Sequence, residues 1–239
     1  MKITCCRLRL HLGAAVLASV FLHGCGGGGD GGGGGQPVVA PTVPVASAMT
    51  AYLSQTGTQN VSGTWSASGI SGNATGTITR STFATTTFEN LPALAQGTRA
   101  ALILSAGSES ASADASAVNY YEPVTYQPLG TTAPGQWAVT TSRSPLPTAA
   151  KTGDNGTWYT MAAYTSSAKT TRLGTIVATY SVQVDDTSNA VLSITSTVTP
   201  TNGPTQTTVT TYRVGSSGAA VPLQQKTAVP EVSTTLVYR

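Results

Sequence analysis

Histidine and cysteine are scarce in this chain of 239 residues, and every copy lies within residues 1–25. They are His11, His23, Cys5, Cys6 and Cys25. Residues 26–239 therefore contain no imidazole and no thiol. Ser-His-Asp and Cys-His hydrolysis require histidine, and the usual zinc and copper sites require histidine or cysteine ligands. This absence excludes those chemistries from residues 26–239 and favours a protein that is not an enzyme and needs no cofactor.

Long apolar runs are also missing. The run over residues 12–22 has eleven apolar or small side chains, whereas a membrane-spanning helix needs about 20. Lys2, Arg7 and Arg9 precede this run without any acidic residue. A basic start followed by a short apolar run predicts a signal for export.

The end of this run carries a recognisable motif. Leu22, His23, Gly24 and Cys25 resemble the lipobox of bacterial lipoprotein precursors. The resemblance covers only the first 25 residues. It implies that residues 1–24 are a signal peptide, and that a thioether joins Cys25 to a diacylglycerol. It also implies a further acyl chain, such as palmitate, on the new amino group.

The resemblance implies a location as well as an anchor. Two or three acyl chains hold a protein on a membrane stably, whereas one chain holds it only marginally. Gly26 follows the cysteine where an aspartate would signal retention at the inner membrane. We therefore expect a protein of the bacterial cell envelope, anchored to the outer membrane, on either its periplasmic or its surface face. The alternative is an ordinary secretory signal, with Cys25 an incidental thiol.

Charge is scarce too, at 9% of residues. The chain has 12 basic and 9 acidic residues, and Lys2, Arg7 and Arg9 lie in the predicted signal. Without those three, nine basic residues balance nine acidic ones, so the mature chain is formally neutral. Nucleic-acid binding depends on a basic surface, and the sequence therefore argues against a DNA or RNA partner.

Glycine dominates the segment after Cys25. Residues 26–35 are glycine except for Asp30, and Pro37, Pro41 and Pro44 follow. Such a segment cannot bury apolar surface, so residues 25–46 are predicted to be a flexible tether with a reach of about 25 Å. Residues 47–239 are predicted to form a single domain. Two smaller domains joined near residues 145–147 are the alternative.

Threonine, serine and valine dominate this predicted domain, which favours strands. Apolar and polar residues alternate over residues 176–184 and again over 190–198, with turn residues between them. These runs predict an antiparallel hairpin. About ten short strands in total predict an all-β fold, an antiparallel sandwich or barrel. One short helix is predicted over residues 47–54, with Ser47 as its N-cap.

Large apolar side chains along the predicted strands are expected to form the core, each contributing about 1.5–3 kcal/mol when fully buried. The expected core residues are Trp65, Phe88, Leu102, Leu104, Trp137, Trp158, Tyr180, Val182, Leu192, Ile194, Tyr212 and Leu236. Basic residues near strand ends are interpreted as guards against pairing between sheet edges. These are Arg80, Lys169, Arg172 and Arg213.

Three groups of residues are candidate sites. Tyr120, Tyr121 and Tyr126 surround Glu122 and predict either a ligand contact or ordinary packing on a sheet. Asp185 and Asp186 predict a turn, with calcium binding as the alternative. A glycoside hydrolase would require a carboxylate pair. The candidates for it are Glu89, Glu109, Asp114, Glu122 and Glu231.

These observations favour an envelope lipoprotein that is a binding or structural module, with an envelope protein, a glycan or an apolar ligand as its partner. A carrier or chaperone for lipid or other apolar cargo is the first alternative, and a carboxylate-based glycoside hydrolase is the second. An integral outer-membrane barrel fits less well, because the predicted strands are short and threonine lies on both of their faces.

Overall fold

The computed structural model describes residues 42–186 and 188–239. The lipobox, Cys25 and most of the predicted tether lie outside these residues. Within these residues, one helix and thirteen strands follow one another. They are α1 (Val45–Leu53), β1 (Gly57–Ala67), β2 (Ile70–Arg80), β3 (Ala84–Phe88), β4 (Leu91–Ala106), β5 (Glu109–Tyr121), β6 (Pro128–Ala133), β7 (Gln136–Arg143), β8 (Asn155–Tyr164), β9 (Arg172–Val184), β10 (Asn189–Pro200), β11 (Gln206–Gly215), β12 (Ala220–Val229) and β13 (Val232–Tyr238).

The strands form one antiparallel sheet that closes into a barrel. Neighbours along the sheet run from β4 through β13 to β1 and β2, and β2 then pairs with β4. Twelve strands therefore form the barrel wall, and β3 is an extra strand that pairs with the first half of β4. The all-β prediction with one short helix is confirmed. The observed barrel is one of the two predicted architectures, and it has more strands than the ten predicted.

The hairpin of β9 and β10 shows why the strands form where they do. Leu192 pairs with Val182 and Ile194 pairs with Tyr180 across the two strands. Leu192, Val182 and Ile194 are buried in the barrel, whereas Thr179 on the alternate face is half-buried. This alternation is the one predicted from the sequence, and it places threonine on the outer face.

Helix α1 lies inside one end of the barrel. Its buried residues Val45, Ala48, Met49 and Tyr52 follow the spacing of one helical face, and they pack in a single cluster with inward side chains of β7–β12. The predicted N-cap is wrong. The helix begins two residues before Ser47, whose hydroxyl donates to the Pro44 carbonyl at 3.1 Å. Among the described residues, no helix has the length and apolar character needed to cross a membrane.

Two glycines of β2 lie against the backbone of β4. A Cβ on Gly72 would lie 1.8 Å from the Ser105 carbonyl oxygen, and one on Gly76 would lie 2.0 Å from that of Ala101. The two backbones approach so closely that only glycine fits. Alanines of β4 and β5 and the large ring of Trp65 fill the interior beside these glycines.

Candidate functional site

A cavity of about 60 Å³ lies in the barrel interior beneath α1. Its lining comes from both sides of the barrel and from the helix. The apolar part includes Met49, Ile78, Leu102, Met161, Ile194 and Leu236, and the polar part includes Arg80, Gln96, Asn119, Tyr121, Tyr159, Tyr212 and Gln225. Met49 comes from α1, and the strands hold the other residues in place on the inward face of the barrel wall.

Arg80 is the most unusual residue of this cavity. It is the last residue of β2, and only 8% of its surface is exposed. Its Nη1 donates to the Tyr52 carbonyl at 3.0 Å, and its Nη2 donates to Gln59 Oε1 at 3.0 Å and to Tyr52 Oη. The guanidinium carbon lies 4.0 Å from the centre of the Tyr52 ring. Each of these partners is electrically neutral.

The ion pairs of the described residues all involve cations other than Arg80. Three ion pairs are present there, and they join Arg99 to Asp114, Lys169 to Glu89, and Arg213 to Asp185. Within residues 42–186 and 188–239, no carboxylate contacts Arg80. The Tyr52 carbonyl lies at the carboxyl end of α1, where the helix dipole supplies about half a negative charge. The positive charge of Arg80 is therefore only partly balanced.

Sequence reasoning assigned the wrong role to Arg80. It was predicted to guard a sheet edge, but β2 has a partner on both edges, β1 and β4. The parity of the strand gives the correct orientation, because Arg80 shares its face with the buried Ala74 and Ile78. Extending the alternation of β2 to its last residue would have assigned Arg80 to the inward face, but it would not have indicated the cavity.

Buried hydroxyl groups and a buried amide surround this cation. Burial raises the pKa of Tyr121, and raises the pKa of Tyr159 and Tyr212 well above the usual value, so all three phenols stay protonated. In the described part of the chain, Tyr159 Oη and Gln96 Oε1 are buried without a hydrogen-bond partner. The cavity thus combines one cation with a donor and an acceptor that have spare capacity.

Gln96 also fixes the carboxyl end of α1. Its Nε2 donates to the Leu53 carbonyl at 2.9 Å, to the Ser81 carbonyl at 3.2 Å and to the Gln55 carbonyl at 3.3 Å. These bonds tie the helix to the segment that follows β2. Arg80 and Gln96 together therefore hold the end of the helix over the cavity.

The predicted tyrosine cluster is divided between the two faces of the barrel wall. Tyr120 and Tyr121 are neighbours in β5 and face opposite ways. Tyr121 lines the cavity, whereas the Tyr120 ring stacks on Phe88 at 4.2 Å. Tyr126 lies 5.6 Å from the Phe83 ring, in the turn that follows β5. Of the cluster, only Tyr121 belongs to the cavity.

Glu122 closes that turn. Its Oε2 accepts hydrogen bonds from the Thr125 hydroxyl and amide, both at 2.6 Å, and from the Val124 amide at 3.1 Å. The Thr125 hydroxyl is the main cause of a lowered pKa for this carboxyl group. These bonds account for Glu122 as a turn residue.

An aromatic stack covers the outer face of the barrel. The Phe88 ring lies between Tyr120 and Trp137, with ring centres 4.2 Å and 5.1 Å away. Glu89 accepts a hydrogen bond from Trp137 Nε1 at 2.8 Å and pairs with Lys169. Phe88 and Trp137 were predicted to lie in the main core. They form a separate cluster outside the wall, and Trp137 is only half-buried.

The predicted turn at Asp185 and Asp186 is present. Asp186 Oδ1 accepts hydrogen bonds from the Ser188 amide at 2.7 Å and from the Asn189 amide at 2.8 Å, and Asp185 pairs with Arg213. These contacts engage the oxygens that calcium would require. The described residues contain no group of three or more acidic, histidine or cysteine side chains arranged to hold a metal.

Comparison of the chain with protein-family models, with curated proteins and with solved structures finds no match.

Proposed function

We propose that this protein is a membrane-anchored binding module of the bacterial cell envelope, which holds a small molecule inside its barrel and catalyses no reaction. The observation that carries the proposal is the convergence of Arg80, Tyr159 and Gln96 on one internal cavity. Buried polar groups without partners are rare, and each costs about 1–3 kcal/mol. A ligand that completed their hydrogen bonds would offset this cost.

The anchor in this proposal rests on the lipobox resemblance at Cys25. Val43, which belongs to the predicted tether, is buried and pairs with Ala150, and α1 begins two residues later. The tether therefore joins the barrel at the end that α1 closes. We expect Cys25→Ser to abolish labelling by radioactive palmitate and to release the protein from membranes in cell fractionation. Labelling that survives the substitution would contradict the anchor.

The carrier alternative has weaker support. Pockets for drug-sized ligands measure about 300–1,000 Å³, whereas this cavity measures about 60 Å³. An acyl chain could enter the barrel only if α1 moved out of it. The size of the cavity thus favours a small ligand over a lipid.

The hydrolase alternative has weaker support as well. Hydrolysis of a glycoside requires two carboxyl groups about 5–10 Å apart on either side of the sugar. Among the described residues, no aspartate or glutamate lines the cavity. Glu89 and Asp114 pair with basic side chains, and Glu122 accepts hydrogen bonds within its own turn.

A matched pair of variants tests the interior as the binding site. Ala100 lines the cavity, and its neighbour Ala101 faces outward on the same strand. We expect nuclear magnetic resonance of the full chain in detergent to detect binding of at least one member of a panel of small neutral and charged molecules. Ala100→Leu should abolish that binding and Ala101→Leu should preserve it. Equal binding by both variants would exclude the cavity as the site.

A further inference from the structure

We propose that the ligand of the interior cavity is a small monocarboxylate of two or three carbon atoms, such as acetate or propionate, whose carboxylate pairs with Arg80. This inference rests on the proposed function, because it names the ligand class of the same cavity. Four properties of the site support it: an incompletely balanced charge, spare hydrogen-bond donors, a cavity of limited size and an apolar wall.

The first property is charge. An arginine side chain carries one positive charge, and a buried charge is strongly unfavourable unless an opposite charge or a full set of hydrogen bonds compensates it. Arg80 is the one cation in the lining given by the described residues. Its neutral partners and the end of α1 balance only part of its charge. A bound monoanion would complete the balance.

The second property is the number of free donors. A guanidinium has five N–H groups, and the contacts of Arg80 within the described chain engage Tyr52 twice and Gln59 once. Two N–H groups therefore remain for a ligand. The Tyr159 hydroxyl, buried in the same lining without a partner among the described residues, adds another donor.

The charge and the donors together favour one kind of anion. A carboxylate presents two oxygens in one plane, which matches the planar fork of a guanidinium. Phosphate at neutral pH carries additional negative charge, and the described lining offers no second cation to balance it. A single carboxylate therefore fits the charge of the site better than phosphate.

Size and polarity limit the rest of the ligand. One water requires about 10–15 Å³ of such a cavity, so 60 Å³ provides roughly four to six positions of that size. Acetate and propionate have four and five non-hydrogen atoms. Ile78, Leu102 and Leu236 line the same cavity and offer an apolar surface for a methyl or ethyl group.

Titration calorimetry on the full chain in detergent tests the ligand class with three probes. Propionate should bind saturably, with one molecule per chain. Propionamide has the same size but no charge, and octanoate has the charge but a longer chain; each should bind at least about tenfold more weakly. Equal binding of propionamide would overturn the role of charge, and tighter binding of octanoate would overturn the short-chain assignment. Absence of propionate binding would overturn the whole inference.

A matched pair of arginine variants tests the residue. Arg80→Met should lower propionate affinity at least about tenfold, the loss expected for a charge-assisted pair. Arg99→Met removes an arginine from the outer face and should leave the affinity unchanged. An unchanged affinity in Arg80→Met would overturn the assignment. If Arg80→Met does not fold, as judged by near-ultraviolet circular dichroism, Tyr159→Phe should still weaken binding severalfold while remaining folded, and unchanged binding in that variant would overturn the site.

The two proposals can fail separately. If a neutral molecule binds to wild type but not to Ala100→Leu, and propionate does not bind, the interior remains a binding site and the carboxylate assignment is wrong. If no molecule of either class binds inside the barrel, both proposals are wrong.

Discussion

The two halves of the barrel interior are filled in different ways. In the helix-packed half, formed by α1 and the inward faces of β7–β12, the rings of Tyr159 and Tyr212 pack near the helix. In the small-residue half, formed by the inward faces of β1, β2, β4, β5 and β13, several alanines surround Trp65. Gly72 and Gly76 allow the backbones of β2 and β4 to approach there.

This difference shows how a twelve-strand wall can enclose a nearly filled interior. A barrel of eight strands is just wide enough for side chains to fill, and wider barrels leave a lumen. Here α1 fills much of one side of the interior, and Trp65 with the side chains around it fills the other. The cavity with Arg80 lies where the two halves meet, because its lining includes residues of both.

High pH should lower the free energy of unfolding more than any change described below, and it should act mainly through phenols of the helix-packed half. Burial raises the pKa of Tyr159 and Tyr212 in the folded protein, whereas an unfolded tyrosine titrates near 10. The contribution of these protonated phenols to the free energy of unfolding is therefore fully present below pH 10. Above that pH, the free energy of unfolding falls by about 1.4 kcal/mol per pH unit for each such phenol. Absorbance at 295 nm should show a cooperative step of tyrosinate formation that coincides with unfolding.

The double variant Tyr159→Phe and Tyr212→Phe is the control for this prediction. It keeps both rings and removes two titrating groups, so its alkaline unfolding should shift to higher pH. An unchanged midpoint would show that these phenols are not the source of the effect.

Removal of a ring from α1 should have the next largest effect. Tyr52 is 1% exposed, lies 4.7 Å from the Tyr212 ring and carries Arg80 on its face. Tyr52→Ala should lower the free energy of unfolding by about 4 kcal/mol, as large-to-small substitutions of buried rings do. Tyr52→Phe should cost about 2 kcal/mol, because the Tyr52 hydroxyl accepts a hydrogen bond from the charged Arg80. Urea denaturation measures both, and similar losses in the two variants would mean that the ring does not fill the helix-packed half.

A methyl group at the glycines of β2 should lower the free energy of unfolding slightly less than Tyr52→Ala does. Gly72→Ala would place its Cβ against the Ser105 carbonyl oxygen, and overpacking of this kind costs about 3 kcal/mol. Gly97→Ala is the matched control, because its Cβ would lie 3.4 Å from Ser81 Oγ, an ordinary contact. The control should unfold within about 1 kcal/mol of wild type. If both variants have the same free energy of unfolding, the close approach of β2 and β4 is not what requires glycine at position 72.

The alternation of apolar and polar residues was sufficient to predict some strands, but it did not predict how the strands pair into a closed barrel. The hairpin of β9 and β10 could be predicted because threonine alternates with Ile176, Ala178 and Val182 on one strand. Other strands carry weaker patterns, because alanine and serine, which favour strands weakly, fill the first half of β5, and Pro222 lies within β12. Closure of the barrel depends on the pairing of β2 with β4 across β3, which no local pattern indicates.

The candidate site was largely missed for the same reason. Tyr121 was predicted as a ligand contact and does line the cavity, but its predicted partners Tyr120 and Tyr126 lie elsewhere. Arg80 becomes notable only when the closed wall and α1 surround it. Burial of a single charge is a tertiary property, and the sequence could indicate only which face of β2 it occupies.

A substitution on the outer face should lower the free energy of unfolding least, because its side chains pack in neither half of the interior. Glu89 joins Lys169 and Trp137 outside the barrel wall. Glu89→Gln should lower the free energy of unfolding by less than about 1 kcal/mol, because ion pairs near the surface contribute little. Hydrogen bonding to Lys169 is the main cause of the lowered pKa of Glu89, so its contribution is present above the unfolded pKa and is lost as pH falls through the folded value. Urea denaturation at pH 7 and at pH 3 should therefore separate wild type from Glu89→Gln only at pH 7. A loss comparable to that of Tyr52→Ala would mean that the outer stack supports the barrel as strongly as α1 does.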